Sequence, residues 1–73
     1  MKLTFNVNYH TNWGESLYIV GNLPELGMSN VSEAVKLTLV GEQLWTLEIE
    51  ISDSVNEFEY SYIVKNDNGY IKN

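Results

Sequence analysis

Leu44-Trp45-Thr46-Leu47-Glu48-Ile49-Glu50-Ile51 is the stretch on which the reading of the fold turns. Trp45, Leu47, Ile49 and Ile51 alternate with Thr46, Glu48 and Glu50. Successive side chains of a β-strand point to opposite faces, so this is a strand with one face in a core and one in water. Gly41-Glu42 just before it makes a tight turn. Val35, Leu37 and Leu39, alternating with Lys36, Thr38 and Val40, supply the other arm of a hairpin.

The same period recurs outward from that hairpin. Leu3, Phe5, Val7 and Tyr9 alternate with Lys2, Thr4, Asn6, Asn8 and His10. Phe58, Tyr60, Tyr62 and Val64 alternate with Glu57, Glu59, Ser61 and Lys65. Leu17-Tyr18-Ile19-Val20 is apolar on both faces and predicts a short strand covered on both sides. Leu23-Pro24-Glu25-Leu26-Gly27 suits one helical turn, with Pro near its start and Gly at its end. Met28 to Glu33 reads as polar loop, and Asn66-Asp67-Asn68-Gly69 as a hairpin turn into a last strand begun at Tyr70. About six strands and no long helix predict an all-β fold, an antiparallel β-sandwich. The expected inward set is Leu3, Phe5, Val7, Leu17, Ile19, Leu37, Leu39, Trp45, Leu47, Ile49, Phe58, Tyr60 and Tyr62, with Tyr9 in phase with it. Residues 1–73 form one domain, and a chain that stops four residues after a turn predicts a domain truncated at its C-terminus.

Composition removes several function classes. There is no Cys, so no disulfide or zinc–thiolate site, and the lone His10 cannot assemble a multi-histidine metal centre. Net charge is −6, the wrong sign for nucleic acid or an anionic membrane. The start alternates in polarity and holds no apolar leader, and no apolar run reaches membrane-spanning length, which predicts a cytoplasmic location. Neither a nucleophile–base pair nor a phosphate-cradling loop is present, and outward glutamates such as Glu48, Glu50, Glu57 and Glu59 read as a solvated face. No catalysis and no cofactor are expected.

Trp13 stands outside every strand period, in the loop His10-Thr11-Asn12-Trp13-Gly14-Glu15. A large aromatic in a polar turn is either a lid folded onto the core or a platform for a ligand. Sugars present C–H patches on the ring face and hydroxyls round the edge, which suits an aromatic face beside amides and carboxylates. Asn12 and Glu15 are the nearest such partners. A third possibility is an interaction or spacer module that binds no small ligand.

The string Asn12-Trp13-Gly14-Glu15-Ser16-Leu17-Tyr18-Ile19-Val20-Gly21-Asn22-Leu23-Pro24-Glu25-Leu26-Gly27 resembles the N-terminal half of family-20 carbohydrate-binding modules, the starch-binding domains. Leu44-Trp45 and Phe58-Glu59-Tyr60-Ser61-Tyr62-Ile63 extend the likeness in the same order over nearly the whole chain. The resemblance implies an open-sided sandwich of immunoglobulin-like type with about seven strands. It implies binding of α-1,4-glucans (starch, glycogen, maltooligosaccharides) at up to two surface sites. Of the first site's two tryptophans and lysine, the leading tryptophan's place holds Ser29 and the lysine's holds Ser61, while the second tryptophan falls at or past Asn73. Of the second site's aromatics, Trp13 is kept, and residues 40–43 offer no partner ring. Modules with this Thr-Asn-Trp-Gly-Glu loop are similar to those at the N-terminus of bacterial 4-α-glucanotransferases of the amylomaltase type, which implies a catalytic domain elsewhere in a parent enzyme. The uncovered strand edges of a shortened sheet predict a homodimer.

Overall fold

The computed structural model describes residues 1–69 and 71–72. Seven strands run in chain order: β1 (Lys2–Asn8), β2 (Glu15–Gly21), β3 (Val35–Lys36), β4 (Thr38–Leu39), β5 (Leu44–Glu50), β6 (Tyr60–Asn66) and β7 (Ile71–Lys72). They form two antiparallel sheets, β1-β5-β4 and β3-β2-β6-β7, packed face to face as an all-β sandwich. Tyr70 and Asn73, with which the last predicted strand begins and ends, lie outside the described residues.

The deciding stretch folds as its pattern requires. β5 is the middle strand of its sheet, and Trp45, Leu47 and Ile49 lie directly opposite Val7, Phe5 and Leu3 of β1. Those six side chains share the inner face, against Leu17, Ile19 and Val64 of the facing sheet. Trp45 is 3% exposed, and Phe5, Leu17, Ile19, Leu26, Leu37 and Val64 complete one core cluster. Each such side chain contributes about 1.5–3 kcal/mol of burial.

The predicted third strand is split in two. Val35 and Lys36 pair with β2 in one sheet, whereas Thr38 and Leu39 pair with β5 in the other. Leu37 is the crossing point, fully buried, its N–H donating to the Leu17 carbonyl at 2.9 Å. A residue that must bury its side chain between two sheets is a natural place for a strand to change sheets.

The predicted helical turn is a 3₁₀ turn, Pro24–Leu26, ended by Gly27 at φ 84°. A Cβ on Gly27 would lie 2.6 Å from the Glu33 carbonyl oxygen, so glycine is required there by both conformation and space. Residues 31–33, expected to be plain loop, make a second 3₁₀ turn, Val31–Glu33, capped by Asn30 Oδ1 accepting from the Ser32 N–H at 3.0 Å.

Four expected core residues are not buried. Tyr60 and Tyr62 share a face with Gly21 and Ile19 of β2, so they do point inward. They remain 47% and 38% exposed, because among the described residues no strand lies over them on the side away from β2. Leu39, opposite Trp45, also faces inward but sits at the open end of the sandwich and is exposed. Tyr9 lies one residue past the end of β1 and is exposed for the same reason. Leu3, Val7, Leu47, Ile49 and Phe58 are half-buried against the core.

Candidate functional site

The loop between β1 and β2 ends in a turn. Glu15 N–H donates to the Asn12 carbonyl at 3.1 Å, and Gly14 between them has φ 80°, the positive value that the third position of such a turn demands. The Asn12 N–H donates to Glu15 Oε1 at 2.9 Å, a second tie across the same four residues. Trp13 occupies the outer corner and is 103% exposed. Its ring is therefore not a lid on the core. Sequence left lid and platform open; the turn points the indole away from the protein, which removes the lid.

Beside this turn is an open cleft of about 830 Å³. Trp45 and Leu39 give it an apolar floor, and Lys36, Glu42, Asp67 and His10 stand round it. The Trp45 indole N–H is already used, donating to the Tyr9 carbonyl at 3.1 Å, so the floor offers no polar atom of that ring. The wall supplies both signs: a lysine that donates and carboxylates that accept. A ligand with an apolar face and a hydroxyl rim matches an apolar floor with a polar margin.

All three residues singled out from sequence lie at this cleft, with different roles in its geometry. Trp13 presents its ring, Asn12 is exposed next to it, and the Glu15 carboxylate is half-buried and holds the turn. Glu42, Asp67, Lys36 and Leu39 were not picked out as site residues. Glu42 and Asp67 were visible as turn carboxylates, but only the pairing of β5 with β4 and of β6 with β7 brings their turns to the end of the sandwich that carries Trp13.

Ser29 and Ser61 meet in a second, smaller cleft of about 210 Å³, with Gly21, Glu59 and Tyr60. The two positions that the resemblance assigned to another site are thus brought together, each with a side chain too short to stack or to carry charge. Met28 and Ser29 take positive φ values of 52° and 63°, in the left-handed region, and Ser29 lines that cleft. Among the described residues no group of three His, Cys, Asp or Glu side chains could hold a metal ion, and no helix is long and apolar enough to cross a membrane.

The chain is similar to several known proteins. It is 35% identical over 71 residues to the 4-alpha-glucanotransferase DPE2 of Oryza sativa subsp. japonica, which aligns with 93% of this chain but only 7% of that protein. It is 31% identical to glucoamylase P of Amorphotheca resinae, over 92% of this chain and 11% of that protein. It thus spans a small fraction of these relatives. The solved family 20 CBM of a maltotetraose-forming amylase from Pseudomonas saccharophila superposes with a TM-score of 0.83 at 27% identity, over 100% of this chain and 78% of that one. A gamma-cyclodextrin glucanotransferase from Bacillus clarkii superposes with a TM-score of 0.81 at 30% identity, over 97% of this chain and 11% of that one. The family model described as the starch binding domain matches residues 1–72. With the open sandwich and the turn that presents Trp13, that match over almost the entire length means that this chain belongs to the starch-binding domain family.

Proposed function

We propose that the chain is a non-catalytic module that holds α-1,4-glucans weakly through Trp13, and that it serves a larger 4-α-glucanotransferase. The observation that carries the reading is the full exposure of Trp13 on a turn tied twice across its base. A glucose ring stacks on the indole, and neighbouring hydroxyls reach Asn12, Glu42 and Asp67 along the cleft. One platform without a facing ring gives low affinity, since sandwiching rings and several anchors are what make sugar sites tight. The glucanotransferase parent is favoured by the rice relative's name, and catalysis then belongs to that parent's other domain.

Affinity electrophoresis through gels containing soluble starch, run beside a maltoheptaose titration followed by tryptophan fluorescence, tests the reading. Retardation in the gel, lost in Trp13→Ala while folding is unchanged, supports it. An unretarded wild-type chain with no fluorescence response at millimolar maltoheptaose rejects it. The second reading is a protein-interaction module without sugar binding. It is favoured by the exposed aromatic side chains of Tyr60 and Tyr62, far from the Trp13 turn along β6.

A further inference from the structure

We infer that the Asp67 carboxylate makes the Trp13 platform selective for uncharged glucose units with neighbouring free hydroxyls, and that the cleft turns away glucans carrying phosphate. The inference rests on the sugar-binding reading and narrows it to a class of glucan.

Two turns meet at this end of the sandwich. Glu15 of β2 lies opposite Asn66 of β6, so the turn that carries Trp13 and the turn that follows β6 are neighbours. The second turn is tied by the Gly69 N–H donating to the Asn66 carbonyl at 2.9 Å and by the Asn68 N–H donating to Asn66 Oδ1 at 3.0 Å. Asp67 stands on it with its carboxylate against Gly14. A Cβ on Gly14 would lie 3.2 Å from Asp67 Oδ2 and 3.7 Å from its Cγ. The carboxylate thus occupies the space that a side chain at position 14 would fill, next in the chain to the exposed ring of Trp13. With both turns tied, platform and acceptor need little ordering when a ligand arrives.

Neighbouring cations are engaged elsewhere. The three ion pairs among the described residues lie at Met1 and Lys2, at the end of β1 away from the Trp13 turn. Lys65, two residues before Asp67, sets its Nζ 4.8 Å from the centre of the Tyr18 ring. Lys36 lines the cleft but sits on β3, with β2 between it and β6. Glu15, unlike Asp67, already spends Oε1 on the Asn12 N–H.

An ionised carboxylate only accepts, and its two oxygens can take two adjacent hydroxyls of one sugar ring. A glucose unit stacked on Trp13 offers such a pair along its edge. A phosphate ester there removes one donor and brings negative charge into a cleft lined by Glu15, Glu42 and Asp67, with Lys36 as the only lysine among its lining residues. Like charges brought together at such a margin repel, so the site discriminates by repulsion as well as by attraction.

Tryptophan fluorescence titrations with maltoheptaose and with a phosphate-monoester derivative of maltoheptaose, at low and high salt, test the inference. The wild-type chain is expected to bind the phosphorylated sugar about tenfold more weakly at low salt, with a gap that narrows as salt rises. Asp67→Asn keeps the shape and removes the charge. It is expected to bind maltoheptaose about threefold more weakly, charge-assisted hydrogen bonds being the stronger ones, and to lose most of the discrimination. Asp67→Ser replaces it should the Asn variant not fold. Glu57→Gln makes the same change in net charge before β6, at the opposite end of that strand, and is expected to leave both affinities unchanged. A wild-type chain that responds to neither sugar removes the sugar-binding reading and this inference with it. A wild-type chain that binds both sugars equally overturns the inference alone. So does an Asp67 variant that discriminates as the wild type does, or a Glu57→Gln chain that loses discrimination, because the effect then belongs to another group or to overall charge.

Discussion

The indole N–H of Trp45 donates to the backbone carbonyl of Tyr9 at 3.1 Å, joining residues 36 apart in sequence. The bond ties the floor of the cleft to the point where β1 gives way to the Trp13 loop. Trp45→Ala removes both the bond and the largest core side chain, at a cost of about 3–5 kcal/mol. A domain this small has little more than that in reserve, so the variant is expected to be largely unfolded at room temperature by circular dichroism. Trp45→Phe keeps most of the volume and is expected to fold with a lower melting temperature. A melting curve for Trp45→Ala that overlies the wild type would remove Trp45 from the core.

Trp13→Ala is expected to separate function from stability. The ring touches nothing in the core, so the melting temperature stays within a degree or two, whereas retardation in starch gels disappears. By analogy with aromatic stacking of bases, the lost platform is worth about 1–3 kcal/mol. Glu15→Gln keeps an acceptor for the Asn12 N–H and is expected to retain binding, while Glu15→Ala frees the turn and weakens it. Equal binding by both Glu15 variants would show that the turn needs no such tie.

Much of this arrangement was legible in the sequence, and the losses have physical causes. The alternation in β1 and β5 placed Trp45, Leu47, Leu3 and Phe5 correctly, because a strand with a neighbour and a facing sheet has one wet and one dry side. Alternation reports only which way a side chain points, not whether anything lies over it. Tyr60, Tyr62 and Leu39 therefore pointed inward as expected and still remained exposed. The split of residues 35–39 between sheets was invisible, since Leu37 is in phase with both halves. Trp13 stood out in the sequence because it broke the period, whereas Glu42 and Asp67 were ordinary turn residues until the topology set them around the same cleft.

Gly27→Ala is expected to be among the most damaging small substitutions. The φ of 84° is costly for a residue with a Cβ, and that carbon would fall 2.6 Å from the Glu33 carbonyl oxygen. Backbone strain of this kind costs about 1–3 kcal/mol before the contact is relieved. Urea unfolding measures it, and a midpoint equal to that of the wild type would rule out the turn as described.

Ser29→Trp with Ser61→Lys tests whether the second cleft is a site that has lost its side chains. Both residues line it, beside Gly21 and Tyr60. Introduced in the Trp13→Ala background, the pair is expected to restore measurable retardation in starch gels. Unchanged mobility would show that Met28 and Ser29, with their positive φ values, hold the loop in the wrong place for a stacking ring.

Burial pushes the Tyr62 phenol above its usual range, and the neighbouring Tyr60 adds to the shift through charge and a side-chain hydrogen bond. A phenol whose value is raised on folding contributes stability that is whole below its unfolded value of about 10 and is lost as pH rises through the folded one. Stability is therefore expected to fall in the alkaline range, and Tyr62→Phe to flatten that fall. A variant with the same alkaline decline as the wild type would assign the effect to other groups.

The single-residue crossing at Leu37 gives the sandwich a spine. β3 and β4 sit at that side of their two sheets, while β1 and β6 lie at the far side, where Phe5 meets Tyr60. The connections from β1 to β2 and from β5 to β6 also pass between the sheets, but through longer loops, so the two layers are held in closest register on the Leu37 side. Lys36, Thr38 and Leu39, the neighbours of that crossing, also line the cleft, so the seam between the layers and the margin of the Trp13 cleft are built from the same short stretch.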